Sequence, residues 1–238
     1  MISPARATHP AKSKTAAGRR PAPRQGATPP PGPGIRPPAA TPMPSGMQLH
    51  TQDGARKYLT TSERNAFLHA AEQTDRHTRT LCMTLAYTGC RLSEALALTA
   101  DRVDLAAGTL VIESLKKRRR GIFRTVPAPP TLLEALDLVH GIREAHTRHS
   151  PSHNQRLWPW SRMTGWRAIH TVMTAAGLNG PHATPKGLRH TFGITAVSAG
   201  IPLNLIQKWL GHAQLTTTTI YANASGTEEQ NIASRMWE

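Results

Sequence analysis

The first fifty residues of this 238-residue chain leave little room for a buried core. They hold 12 of the 20 prolines and no aromatic residue, and the first carboxylate in the chain is Asp53. A segment of this composition buries too little apolar surface to offset the entropy that it loses on ordering. We therefore expect residues 1–48 to be a disordered, proline-rich, basic tail and residues 49–238 to form one folded domain.

The chain is strongly basic, with a formal net charge of +15. The first fifty residues carry seven of the 29 lysines and arginines, and the rest of the chain holds 22 of them against 14 acidic residues, a net of +8. Such an excess in a folded domain is typical of proteins with a polyanionic partner, most often nucleic acid. The alternative is a basic surface that serves only solubility.

Several other classes of protein are disfavoured by what the sequence lacks. It has no apolar run of about 18 residues that would span a membrane, and its start lacks the apolar centre of a secretory signal. Two cysteines, Cys82 and Cys90, give neither a disulfide framework nor a metal-binding spacing, and the twelve histidines form no Cys/His pattern with them. We expect a cytoplasmic protein with reduced thiols, no metal and no cofactor.

Apolar residues recur at helical spacing from Lys57 onward. The first helix, in "YLTTSERNAFLHAAEQ", would have Thr61 or Ser62 as its N-cap, and the second, in "RHTRTLCMTLAYTG", would end at Gly89. A short third helix is predicted in "RLSEALALTADRVDL". Further helices are predicted in "TLLEALDLVHGIREAHTRHS", "MTGWRAIHTVMTAAGL", the segment after Pro185, "IPLNLIQKWLG" and "GTEEQNIASRMWE".

The periodicity changes from helical to alternating in the middle of the chain. The segments "GTLVIES" and "GIFRTVPAP" alternate apolar and polar residues, and the basic stretch "LKKRRRG" lies between them. Two such segments around a turn indicate a β-hairpin. The predicted fold class is mainly α with a small antiparallel β-sheet (α+β).

Helix starts and turns carry side chains that can bind a phosphate, attack it or transfer a proton. These are Arg91, Glu94, Lys116, Lys117, Arg189, His190, His212 and Tyr221. Each alone is an ordinary surface or core residue, but together they meet the needs of phosphodiester cleavage. Two arginines can clamp a phosphate and stabilise its growing charge, and a tyrosine can attack phosphorus. A lysine can protonate the leaving group, and no metal is needed when the arginines carry the charge.

Three stretches resemble the signature boxes of the tyrosine recombinase, or phage integrase, family. They are "AYTGCRLSEALAL", "TPKGLRHTFG" and "LGHAQLTTTTIY", in the family's order, with the basic hairpin between the first two. The resemblance runs from about Leu59 to the C-terminus. It implies the DNA breaking-rejoining catalytic-domain fold and a site-specific recombinase or integrase of a mobile element, which cleaves and rejoins DNA through a 3′-phosphotyrosyl link. Double-stranded DNA would be the partner, bound by a homotetramer on paired sites whose protomers exchange C-terminal helices.

The resemblance also implies a role for each matching residue. Arg91 and Arg189 would clamp the phosphate, His212 would donate to it, and Tyr221 would be the nucleophile. The threonine run before Tyr221 would be a connector that lets the phenol reach DNA.

Four further positions take supporting or alternative roles by the same resemblance. Glu94 would orient the site, and His190 would support it. The hairpin lysine would be the general acid, with Lys116 favoured by its place directly after the strand and Lys117 as the alternative.

The chain departs from the family pattern at two places. Lys186 stands where a histidine is usual, and we expect it to act as an electrostatic helper that donates to the phosphate, with His182 a less favoured replacement for the histidine. A proline-rich tail stands where the family carries a core-binding domain. Two other readings stay open: a truncated integrase fragment that binds DNA without strand exchange, and a type IB topoisomerase, which the Gly-His box disfavours.

Overall fold

The structure is a computed structural model that describes residues 48–115, 121–148 and 154–222, together with residues 233, 234, 236 and 237. The predicted tail is outside the described residues except for Gln48, and Lys116 and Lys117 are outside them as well. Most of the predicted C-terminal helix is also outside them. The expectations for these segments therefore stay predictions.

The first two helices follow the sequence closely. Helix α1 spans Thr61–Glu72. Its N-cap is Thr60 and not Thr61 or Ser62, because Thr60 and Glu63 form a reciprocal capping box. Helix α2 spans Arg76–Thr88 and ends, as predicted, at Gly89 in the left-handed conformation (φ 60°). A β-carbon at Gly89 would lie 2.6 Å from the Phe192 ring. The position therefore requires glycine both for its left-handed conformation and for lack of space.

The third predicted helix is much shorter than expected. Helix α3 spans only Leu92–Ala95, and a 3₁₀ turn follows at Ala100–Arg102. The prediction that "RVDL" continues the helix is wrong, because Val103–Asp104 forms strand β1 and pairs with Leu110 and Thr109 across the Gly108 turn.

The predicted hairpin is confirmed. Strand β2 spans Thr109–Glu113 and strand β3 spans Phe123–Pro127, and they pair antiparallel in a three-stranded sheet of order β1-β2-β3. Leu110, Ile112 and Val126 face the core from this sheet.

The remaining helices lie close to their predicted places. The long segment after the hairpin is two helices, α4 (Pro130–His140) and α5 (Ile142–Arg148), because Gly141 at φ 62° ends the first. Helix α6 spans Arg162–Ala175, α7 spans Pro185–Ser198 and α8 spans Leu203–Leu210. Two 3₁₀ turns follow, Leu215–Thr217 and Thr219–Tyr221.

Two apolar clusters hold these elements together. The larger joins α1, α2, α4 and α6 to the sheet around fully buried residues such as Phe67, Leu85 and Trp158. The smaller contains Tyr58, Ile206 and Tyr221 and joins the chain before α1 to α7, α8 and the last turn. The predicted helix-rich fold with a small antiparallel sheet is confirmed. Over the described ranges, none of the helices combines the length and apolar character that a membrane span would need.

Candidate active site

A pocket of about 830 Å³ opens between the first turn of α3, the start of α6, the start of α7 and the last 3₁₀ turn. Six predicted site residues line it, namely Arg91, Lys186, Arg189, His190, His212 and Tyr221. Lys57, Arg162 and Trp166, which the sequence reasoning did not single out, line it too. Glu94 lies directly behind the pocket wall. The pocket is therefore rich in cations and suits a polyanionic ligand.

Glu94 is the buried anion that holds two arginines. Its carboxylate accepts from the backbone N–H of Arg91 at 3.0 Å and from the Arg91 guanidinium at 2.7 Å. The other arginine is Arg124 of β3, whose Nη2 donates to Glu94 Oε2 at 2.5 Å. Burial raises the pKa of Glu94, but the charges and hydrogen bonds of Arg124 and Arg91 outweigh it and hold the pKa below its usual range. Glu94 is thus ionised at neutral pH, and it fixes the position of the Arg91 guanidinium.

Sequence reasoning missed Arg124, which is buried and bonded on three sides. Besides Glu94, its guanidinium donates to Ser114 Oγ at 3.1 Å and to the Trp209 carbonyl at 2.7 Å. Because side chains alternate along a strand, Arg124 shares the inward face of β3 with Val126. An arginine on an inward strand face needs a buried acid, and that requirement could have linked Arg124 to Glu94 from the sequence.

Arg189 on α7 is fixed by two backbone carbonyls from distant parts of the chain. Its Nη1 donates to Gly89 O at 2.9 Å and its Nη2 donates to Leu210 O at 2.7 Å. Burial and the nearby charge of Arg91 lower its pKa to about 10, which still leaves the guanidinium charged at neutral pH. Two arginines, Arg91 and Arg189, therefore present positive charge to the same pocket.

His212 follows the left-handed Gly211 that ends α8. Its Nδ1 lies 2.9 Å from Thr218 Oγ1, so this hydroxyl orients the ring. Burial, together with the charges of Arg189 and Arg91, lowers the pKa of His212 to about 3. The imidazole is therefore neutral at physiological pH.

The threonine run before Tyr221 is not the simple connector expected. Thr218 is fully buried against His212, and Thr219 Oγ1 donates to the Thr216 carbonyl at 2.9 Å within the turns that carry Tyr221. These bonds position both His212 and Tyr221.

Tyr221 is both a core residue and a wall of the pocket. Its side chain is 1% exposed, and its ring packs against Gly193, where a β-carbon would lie 2.6 Å from ring atoms. Its hydroxyl lies 3.3 Å from His190 Nδ1, and its ring lies nearly parallel to that of His212. Burial raises the pKa of Tyr221 against the opposing charges of Arg189 and Arg91, so the phenol is protonated in the free protein.

Lys186 and His182, the two candidates to replace the histidine that is usual in the family, differ in position. Lys186 lines the pocket, and its charge is second only to burial among the causes that lower the pKa of His190 to about 3. His182 does not line the pocket; its Nε2 lies 3.7 Å from Glu63 Oε1 and faces the start of α1. The geometry thus favours Lys186 over His182.

Comparison with known proteins gives consistent matches along this part of the chain. The chain is 33% identical to the tyrosine recombinase XerD of Mycobacterium leprae (strain TN) over 60% of this chain and 46% of that protein. It is 28% identical to a resolvase of Escherichia coli (strain K12) over 77% of this chain and 79% of that protein. Among solved structures, the XerA recombinase superposes with a TM-score of 0.64 at 25% identity, over 75% of this chain and 64% of that one.

The chain spans about half the length of the XerD relatives that it matches, 46% of one and 53% of another. A family model extends the match beyond single relatives. The model of the phage integrase family matches residues 57–228, which include all three sequence boxes and every residue of the pocket. This chain therefore belongs to the phage integrase family, the tyrosine recombinases.

Proposed function

We propose that this protein is a site-specific DNA recombinase that cleaves and rejoins DNA strands through a covalent 3′-phosphotyrosyl link at Tyr221. The observation that carries the proposal is that Arg91, Arg189, His212 and Tyr221 line one pocket. Two fixed guanidinium groups beside a phenol suit in-line attack on a phosphodiester, because they neutralise the charge that grows on the phosphate oxygens. Double-stranded DNA is the proposed substrate.

The cleavage step forms the bond between Tyr221 Oη and phosphorus and breaks the bond between phosphorus and the 5′ oxygen. The phenol proton leaves along the contact with His190 Nδ1, which is 3.3 Å from the hydroxyl. Burial and the charges of Lys186, Arg189 and Lys57 make His190 a weak base in the free protein. A bound phosphate opposes those three charges and so raises the pKa of His190 when DNA arrives.

The remaining groups have separate tasks in this proposal. Arg91, oriented by Glu94, and Arg189 bind the non-bridging oxygens, and His212 donates to one of them. Lys186 adds a further positive charge and a hydrogen bond to the phosphate. A lysine of the hairpin turn, Lys116 or alternatively Lys117, protonates the departing 5′ oxygen, and religation reverses these transfers.

Covalent trapping tests the proposal directly. A pool of duplexes with a randomised centre and a nick in one strand would be incubated with the protein, so that the short fragment with the free 5′ hydroxyl diffuses away after cleavage. We expect a protein–DNA adduct that survives denaturation, and none from Tyr221→Phe, which keeps the ring packed against Gly193 and loses the nucleophilic oxygen.

Binding measured on the same pool separates the readings. If the parent protein binds the pool and forms no adduct, the enzymatic proposal is wrong and a DNA-binding fragment is the better description. An adduct formed by Tyr221→Phe would show that another residue is the nucleophile. Relaxation of supercoiled plasmid without junction resolution would point to a topoisomerase.

Three further proposals follow from family membership and composition. We infer that the protein works in the cytoplasm on chromosomal or element DNA, as a tetramer on paired sites. The C-terminal segment, residues 226–238, would dock on a neighbouring protomer, and the exposed Met236 and Trp237 supply apolar surface for that contact. The basic tail, residues 1–48, would add sequence-independent contacts to DNA.

Truncation after Ser225 tests the role of the C-terminal segment. It should abolish assembly on DNA, measured by sedimentation, while the melting temperature of the monomer stays unchanged.

A further inference from the structure

Lys57 enters the active-site pocket from a segment that precedes α1. The chain makes a tight turn there at Gly54 (φ 78°), and His50 and Arg56 form an antiparallel bridge across it. The backbone N–H of Lys57 donates to Leu49 O at 2.7 Å, which closes the turn. The half-buried lysine is therefore fixed at its backbone, although it belongs to no helix or strand.

Two contacts tie this turn to the elements that carry the site. Arg56 pairs with Glu63 of α1 through both terminal nitrogens and also donates to Tyr58 O at 2.8 Å. The backbone N–H of Leu59 donates at 2.7 Å to the hydroxyl of Thr191, the residue after His190.

The apolar contacts of the turn lead to the same place. Leu49 and Tyr58, which flank the turn, belong to the buried cluster that also contains Tyr221. The packing that positions the phenol thus also positions Lys57.

The charge of Lys57 acts on one side of the pocket. It contributes, after burial, Lys186 and Arg189, to the lowered pKa of His190. The charges that act on Tyr221 are instead those of Arg189 and Arg91. Lys57 is therefore close enough to His190 for its charge to act on it, and the segment that carries Lys57 is bonded through Leu59 to Thr191, the residue after His190.

The ammonium group of Lys57 has no carboxylate partner in the part of the chain that the structure describes, whereas Arg91 is paired with Glu94. A half-buried cation beside other cations is stabilised when an anion enters the pocket. The pocket, at about 830 Å³, has room for more than the one phosphate that the arginines hold.

We propose that Lys57 binds a backbone phosphate of the cleaved DNA strand next to the scissile one, on the side of His190 and Lys186. This rests on the proposed function, because it takes the arginine pair as the site of the scissile phosphate. Lys57 is then a substrate-binding residue that sets the register of the strand, and the turn at residues 49–57 is part of the active site.

Salt dependence of DNA binding is the first test, and it needs no cleavage. Each phosphate contact contributes a slope of about −0.9 to the logarithm of affinity against the logarithm of salt concentration. We expect Lys57→Met to reduce the steepness by about one such contact and Lys57→Arg to restore it. Lys208→Met, which changes an exposed lysine of α8 outside the pocket, should leave the slope as in the parent.

The second test locates the phosphate. Single methylphosphonates, which are uncharged, would replace each phosphate in turn around the cleavage point of a duplex recovered by covalent trapping. The loss of cleavage rate caused by Lys57→Met, which we expect to be about tenfold, should disappear at one phosphate beside the scissile one. Melting curves of Lys57→Met and Lys57→Arg would show whether both variants are folded.

The outcomes separate this proposal from the proposed function. An unchanged salt slope in folded Lys57→Met overturns the inference, even when the parent forms a covalent adduct. A rate loss that persists on every methylphosphonate duplex, or that disappears only at the scissile phosphate, overturns the assignment to a flanking phosphate. If the parent forms no adduct but Lys57→Met lowers the slope, the proposed chemistry fails while the phosphate contact stands.

Discussion

Glu94 is a single buried carboxylate between two arginines, and we expect the loss of its charge to destabilise the fold. The substitution Glu94→Gln keeps the shape and removes the charge, which leaves the guanidinium of Arg124, itself 5% exposed, without its anion. We expect the free energy of unfolding at pH 7 to fall by about 3–5 kcal/mol. Denaturant unfolding measures it, with Glu113→Gln as control, because the pair with Arg102 is longer and partly exposed and should cost below about 1 kcal/mol.

The pH dependence of that loss has a defined sign. The folded-state pKa of Glu94 is below the usual 4.5, so its stabilisation is complete above the unfolded-state pKa and is lost as pH falls through the folded one. The difference between parent and Glu94→Gln should therefore be constant from pH 7 to pH 5 and shrink below pH 4.5. A difference that stays constant to pH 3 would show that Glu94 is not stabilised as an anion.

Lys186 replaces an imidazole that could exchange a proton near neutral pH. As a charged lysine it can donate to a phosphate oxygen but cannot accept the phenol proton. We expect Lys186→Ala to slow cleavage at least tenfold and Lys186→His to stay active, with a rate optimum at lower pH than the parent. Single-turnover trapping across pH measures both.

His182→Ala is the control for Lys186, because this side chain faces Glu63 instead of the pocket. It should cleave as fast as the parent. Parent-like cleavage by Lys186→Ala, or loss of cleavage in His182→Ala, would contradict the assignment.

At the scale of elements, the β2–β3 hairpin carries the proposed general acid in its turn. A bridging 5′ sulfur in place of the 5′ oxygen leaves as a thiolate, which needs no proton because a thiol has a pKa of only about 8.5. We expect Lys116→Ala to cleave ordinary DNA at least a hundredfold more slowly and to recover on the sulfur substrate. Lys117→Ala is the matched control and should need no rescue, whereas the reverse pattern would assign the acid to Lys117.

The sequence predicts those elements that carry a local signal, such as a residue that ends a helix or a clear alternation of apolar and polar residues. Helix α2 was predicted together with its end because Gly89 ends it in a left-handed conformation, and the hairpin was predicted because its strands alternate over five residues each. Strand β1 is not predicted because two residues are too few to show an alternating pattern, and the strand forms only by pairing with β2. The turns that follow Leu215 were missed because the Thr218 hydroxyl bonds to His212, a contact that periodicity does not show.

At the scale of the whole molecule, the site is assembled from segments that are far apart in sequence. The sequence boxes predict that Arg91, Arg189, His212 and Tyr221 form one site, and all four line the same pocket. The boxes gave no indication of Lys57, which reaches the pocket because its turn packs on α7 and on the cluster around Tyr221. Such contacts depend on tertiary packing and leave no local pattern.

The same assembly buries histidines among cations, which makes the fold sensitive to acid. Burial is the first cause in each case, and it holds the pKa of His140 at about 4 and those of His190 and His212 at about 3. In the unfolded chain a histidine has a pKa of about 6.5, so between that value and the folded one the unfolded state binds more protons. Stability must then fall as pH decreases, by up to about 1.4 kcal/mol per pH unit for each histidine.

The substitution His190→Asn removes one of the histidines whose protonation makes stability depend on pH. We expect its free energy of unfolding to decline less steeply than that of the parent between pH 6.5 and pH 4.5, by up to about 1.4 kcal/mol per pH unit. Urea unfolding at closely spaced pH values measures both slopes, and His170→Asn, at an exposed position on α6, should follow the parent. Parallel curves for His190→Asn and the parent would mean that His190 binds protons equally in the folded and unfolded states, and so that burial does not lower its pKa.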